Sequence, residues 1–140
     1  MPDIRVQFAN PEHLEACMEL ENIPLRRVIV AKIQAQDVVI ALWNHEVAGY
    51  LRLEYLWGKV PLIGLIRVRE ERQKQGLGRC LLSFTCKHLQ SQGHTFLLSS
   101  SSAHEPEPQT WHRQQGFREC GILLGVNERG QSEIFFRRPL

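Results

Sequence analysis

The residues best suited to chemistry lie between Val68 and the helix that follows it: Arg69-Glu-Glu-Arg-Gln-Lys-Gln-Gly-Leu-Gly-Arg79. An apolar strand running into a glycine-bearing loop and then a helix is an arrangement that receives anions. The first amides of a helix have no intrahelical acceptor, and the helix dipole stands behind them. Gly76 and Gly78 lack the Cβ that would hold a pyrophosphate away from the main chain. Arg72, Lys74 and Arg79 add positive charge around the same spot. In isolation, a glycine-rich turn with solvated basic residues would look the same. Two nucleotide motifs are excluded. No Gly-x-x-x-x-Gly-Lys-Ser/Thr is present, and Leu81 occupies the third glycine position of Gly-x-Gly-x-x-Gly.

The elements that must position this loop follow from periodicity. Ile4 to Phe8 alternates as a short strand, and Asn10-Pro11 opens a helix running to about Leu20. Pro24 begins a second helix through Arg27, Ile29 and Ile33. Val38 to Leu42 forms a strand, Asn44-His45-Glu46 a turn, and Val47 to Tyr55 a long strand carrying Arg52 and Glu54 on its second face. Pro61 to Val68 is nearly continuous apolar sequence, as in a central strand covered on both sides. Gly78, Leu81, Leu82, Thr85 and Leu89 share one helical face that Gly93 closes. Thr95 to Leu98 reads as a strand, Pro106 to Gln115 as a short helix, and 118–126 with 131–137 as a closing hairpin. The order β-α-α-β-β-β-α-β-α-β-β predicts a mixed α/β or α+β sheet. The strand–helix–strand unit over 62–98 is expected to be parallel with a right-handed crossover.

Bulk properties narrow the function. At 140 residues and 43% hydrophobic the chain suits one domain, 1–140, with a real core. A net charge of +2 leaves room for one anion site and argues against a nucleic-acid partner. Cys17, Cys80, Cys86 and Cys120 form no ligand array, so no metal is expected and they are read as free, core-filling thiols. The N-terminus lacks a signal-peptide core and no apolar run approaches the ~20 residues needed to cross a bilayer, so no membrane is expected and the location expected is cytoplasmic.

The stretch from Ile66 to Leu82 resembles the signature of the GNAT superfamily of N-acetyltransferases. That family shows a strand ending in apolar-x-Val, a loop, then Gln/Arg-x-x-Gly-x-Gly/Ala and a helix opening with paired leucines. Trp111 to Phe117 resembles the family's aromatic-Tyr-x-x-x-Gly-Phe segment. The resemblance spans roughly 37–137 and implies a mostly antiparallel sheet of about seven strands, flanked by helices and splayed between two central parallel strands. It implies acetyl-CoA as co-substrate, held by main-chain groups of Ile66, Arg67 and Val68 and by Gln73, Lys74, Gln75, Gly76, Leu77, Gly78 and Arg79. A neutral amine would attack the thioester directly. The acceptor it implies is a small-molecule amine or a protein N-terminus or lysine, and the protein would be a monomer or homodimer.

Two departures from the family pattern bear on catalysis. The strand Leu62 to Val68 has no acid to take the amine's proton, so Glu54, or Glu105 or Glu107 in the later loop, are candidate substitutes. His112 stands where relatives carry a tyrosine that protonates the departing thiolate. It could fill that role near neutral pH or be a polar helix residue. Trp43 and Trp57 could line an acceptor pocket or finish a core; Trp111 and Phe117 suit core packing. Ser99 to Ser102 could offer hydroxyls or form a solvated strand end, and His104 beside Glu105 could relay protons. These departures leave open a catalytically silent acyl-CoA-binding domain, and an interaction module with no CoA at all.

Overall fold

A computed structural model describes the whole chain, Met1 to Leu140, as two compact units. The first comprises residues 1–54 and 64–88, the second 55–63 and 89–140. In chain order the elements are β1 (Ile4–Phe8), α1 (Leu14–Leu20), α2 (Arg26–Gln34), β2 (Val38–Trp43), β3 (Glu46–Leu56), β4 (Val60–Val68), α3 (Leu77–Ser91), β5 (Phe96–Ser102), α4 (Pro106–Gln114), β6 (Arg118–Leu123) and β7 (Glu133–Pro139). The seven strands form a mixed sheet in the order β1-β2-β3-β4-β5-β7-β6. β4 and β5 are parallel, registered at Leu62 and Leu98, whereas β1–β2, β2–β3, β5–β7 and β6–β7 are antiparallel. The element order is the one expected from periodicity.

In the first unit, β2 and β3 are joined by Asn44 and His45, both with positive φ (49° and 71°). A two-residue turn of that kind matches the right-handed twist of the strands it joins. α1 and α2 bury Cys17, Leu20, Ile29 and Ile33 in a cluster with Val38, Ile40 and Tyr50. Burial pushes the Cys17 thiol up to about 12, with Glu21 adding to the shift, so this cysteine is inert packing. α3 supplies Leu77, Leu81 and Leu82. A Cβ on Gly49 would lie 3.0 Å from Leu81 Cδ1, so the glycine is what lets α3 approach β3 this closely.

The second unit has its own core of Leu97, Phe117 and Phe136. β5 continues through Ser102 instead of stopping at Leu98, because its ladder with β7 runs from Phe96–Pro139 to Ser102–Glu133. Serine is a weak strand former on its own; cross-strand pairing overrides that preference here. Ser99 and Ser101 are consequently buried, and the expectation of a solvated strand end does not hold. Two further expectations are corrected. Cys80 and Cys120 are exposed and fill no core. Trp57 sits on the β3–β4 turn at φ 54°, 83% exposed, and finishes no core either. No helix is long and apolar enough to cross a membrane.

Candidate functional site

The loop between β4 and α3 is anchored at its base by Arg69. Its main-chain N–H donates to the Ala48 carbonyl (2.8 Å), its Nε to the Val47 carbonyl (2.7 Å) and its Nη2 to Glu19 (2.8 Å). A single 3-10 turn, Glu70–Arg72, follows. Gln73 then folds back, donating from Nε2 to the Val68 carbonyl at 3.1 Å. The chain enters α3 through two left-handed residues, Lys74 (φ 62°) and Gly76 (φ 85°). These bonds link the end of β4 to the mouth of α3, so Ile66, Arg67, Val68 and Gln73 to Arg79 are held together in the first unit.

The first intrahelical bond of α3 runs from Cys80 N–H to the Gly76 carbonyl, at 3.0 Å. Gly76 is therefore the capping residue, and it has no side chain with which to cap. The amides of Leu77, Gly78 and Arg79 precede the first intrahelical donor, so the helix itself offers them no acceptor. The 3-10 turn Pro11–His13 that leads into α1 differs: there Asn10 N–H donates to His13 Nδ1 at 3.1 Å. The nearest atom to a Cβ placed on Gly76 is Arg79 Nη2 at 3.6 Å, so basic charge stands beside the open amides. Arg72 lies over the Trp43 ring, 4.7 Å from its centroid. Lys74 and Arg79 are both exposed.

His112 lies in the second unit, 4% exposed on α4. Its Nδ1 is 2.7 Å from the Pro108 carbonyl, which can only accept, so Nδ1 carries the proton. Nε2 is then the bare nitrogen and accepts the Ser99 hydroxyl at 2.7 Å. The ring stacks on Phe136, with centroids 4.6 Å apart and planes 6° apart, and meets Trp111 and Phe117 edge-on. Burial lowers its pKa, only partly offset by the Pro108 bond, and the neutral ring is favoured. In this tautomer Nε2 carries no proton to donate.

Replacing His112 with alanine is expected to strand the Ser99 hydroxyl and leave a void against Phe136, at about 2–4 kcal/mol. Because the folded-state pKa is lowered, the contribution is fully present above the unfolded value of about 6.5 and is lost as pH falls from there through the folded value. Urea unfolding across that range checks both points. A stability change below about 0.5 kcal/mol would overturn this assignment.

The two carboxylate candidates stand in different settings. Glu54 is bonded to Arg52 Nη1 through Oε2 and to Lys32 Nζ through Oε1 (2.7 Å). Glu105 is exposed immediately before α4, and its side chain caps nothing. His104 and Glu107 are exposed as well. Sequence reasoning missed Arg52, whose side chain is 5% exposed and bonded to the buried carboxylate of Glu21. It also missed Ser99 as the partner of His112. Both are tertiary pairings for which local spacing carries no signal.

A family model described as an acetyltransferase (GNAT) domain matches residues 26–119. No curated protein matches the chain by sequence. Among solved structures, Ard1 from Thermoplasma volcanium superposes with a TM-score of 0.87 at 13% identity, covering 98% of this chain and 97% of that one. The ribosomal-protein-S18-alanine N-acetyltransferase from Escherichia coli gives 0.81 at 19% identity, with 98% and 94% covered. YncA from Salmonella typhimurium, solved with its cofactor acetyl-CoA, gives 0.84 at 17% identity, with 99% and 94% covered. At these identities the likeness is one of fold.

Proposed function

Because the chain belongs to the GNAT acetyltransferase family, we propose that it is an acyl-CoA N-acyltransferase, carrying an acetyl group from acetyl-CoA to a primary amine. The observation that carries this reading is Gly76 at the head of α3, a capping position without a cap beside Arg79. In it, the pyrophosphate of acetyl-CoA takes the amides of Gln73 to Arg79, and main-chain groups of Ile66, Arg67 and Val68 receive the pantetheine arm. The neutral amine nitrogen bonds to the thioester carbon, the C–S bond breaks, CoA departs as a thiolate, and the surplus proton on nitrogen passes to solvent. A thiol of pKa about 8.5 leaves without an obligatory protein donor. His112 then serves to hold β5 against α4, and Glu105, exposed and uncommitted, has no role specified by its contacts. The acceptor is a small-molecule amine or a protein N-terminus or lysine. By their names, the relatives include an enzyme for ribosomal protein S18 from Escherichia coli and an IAA acetyltransferase from Bacillus cereus.

Acetyl-CoA at about 100 times its Kd is expected to stabilise the protein by about 2.7 kcal/mol, on the order of 10 °C in Tm for a domain of this size. NAD should do far less. Thermal unfolding against both ligands is the test, and a larger shift with NAD would overturn the reading. Release of free thiol from acetyl-CoA in the presence of amines separates an enzyme from a silent acyl-CoA-binding domain.

A further inference from the structure

β4 carries no acid, yet a carboxylate reaches it from the neighbouring strand. Gly64 lies two residues before Ile66, on the same face of β4. Its backbone is exposed, and the place where a side chain would stand is already filled. A Cβ there would collide with Arg52 Nη1 and come within 2.8 Å of Glu54 Cγ. The missing side chain is what allows the Arg52–Glu54 pair of β3 to lie over β4.

The pair is held firmly. Arg52 donates from Nε to Glu21 at 2.5 Å and from Nη2 to the same carboxylate at 3.4 Å. Tyr50 Oη donates to Glu21 at 2.7 Å, and so do the amides of Asn22 (2.7 Å) and Ile23 (3.0 Å). Glu54 remains 35% exposed at the end of this buried line. A carboxylate offers about four lone-pair positions. One on each oxygen of Glu54 is taken, by Arg52 and by Lys32, which leaves one on each free.

We infer that Glu54, set over Gly64, is the group that receives the acceptor amine. It accepts an N–H bond that orients the nitrogen toward the acyl group, with Arg52, Lys32 and Glu21 as positioning residues. The inference rests on the acetyl-CoA reading above, since that reading places the acyl donor along β4.

The test measures thiol release from acetyl-CoA with n-butylamine and with a peptide bearing a free N-terminal amine, for the parent, Glu54→Gln, Glu54→Asp and Gly64→Ala. Glu54→Gln keeps an acceptor for Arg52 while removing the charge. It should raise the amine KM by about tenfold or more, with the acetyl-CoA KM and thermal shift unchanged. Glu54→Asp should restore part of that loss. Gly64→Ala should raise the amine KM as Glu54→Gln does, because it displaces the pair. An amine KM within about twofold of the parent in folded Glu54→Gln overturns the subsite. So does a parent that acetyl-CoA stabilises but that turns over neither amine. A parent that acetyl-CoA fails to stabilise overturns the functional reading itself, and this inference with it.

Discussion

Gly76→Val is expected to abolish stabilisation by acetyl-CoA, reducing a gain of about 2.7 kcal/mol at 100 Kd to nothing. Two effects act at this position. At φ 85° a branched side chain is strained, at about 1–3 kcal/mol, so the free protein melts lower. The valine also stands in front of the amides of Leu77, Gly78 and Arg79, which Gly76 as capping residue leaves open to an anion. A matched control separates strain from obstruction. Gly93 has φ 90° and open space around its Cβ position, and it closes the far end of α3. Gly93→Val should therefore lose a comparable amount of Tm while retaining the full acetyl-CoA shift. If Gly76→Val and Gly93→Val keep equal shifts, the loop does not hold the pyrophosphate.

The contrast between these two glycines bears on how much of the molecule could be read from its sequence. The β4–α3 loop was legible as a candidate anion site because the features that mark it are local. A strand end, a glycine cap and the first turn of a helix lie within a dozen residues, and their amides point outward for reasons of backbone geometry alone. The element order was legible for the same kind of reason, since periodicity separates strand from helix without tertiary information. Arg52 was not. It reads as a charged residue on the second face of a half-buried strand, and its partner Glu21 lies 31 residues away. Ser99 and His112 are 13 residues apart, on a strand that serine content alone would have ended early. Gly64 was read only as part of a nearly continuous apolar strand. Its reason appears only when the ion pair of β3 is seen to occupy the space of its side chain.

Arg52→Leu is expected to be the most destabilising single substitution in the first unit, at about 3–5 kcal/mol. Its cost comes less from the lost bonds than from what they leave behind. The Glu21 side chain is 0% exposed, and without Arg52 it is a buried carboxylate with no countercharge. In the parent, burial alone would push the Glu21 carboxyl up. The bonds from Arg52, Tyr50 and the Ile23 amide outweigh burial and hold it below its ordinary value of 4.5. A carboxyl lowered on folding contributes stability that is present above the unfolded pKa and lost as pH falls through the folded one. In Arg52→Leu the balance inverts. Burial then dominates, the folded pKa rises above the unfolded one, and protonation relieves the variant. The parent should therefore be at least as stable at pH 8 as at pH 5, and the variant more stable at pH 5. The double variant Glu21→Leu with Arg52→Leu should lose less than Arg52→Leu alone, since the charge goes with its partner. Urea unfolding of all three proteins at both pH values measures these differences. A loss under about 1 kcal/mol that is equal at the two pH values would mean that Glu21 does not depend on Arg52 for its charge.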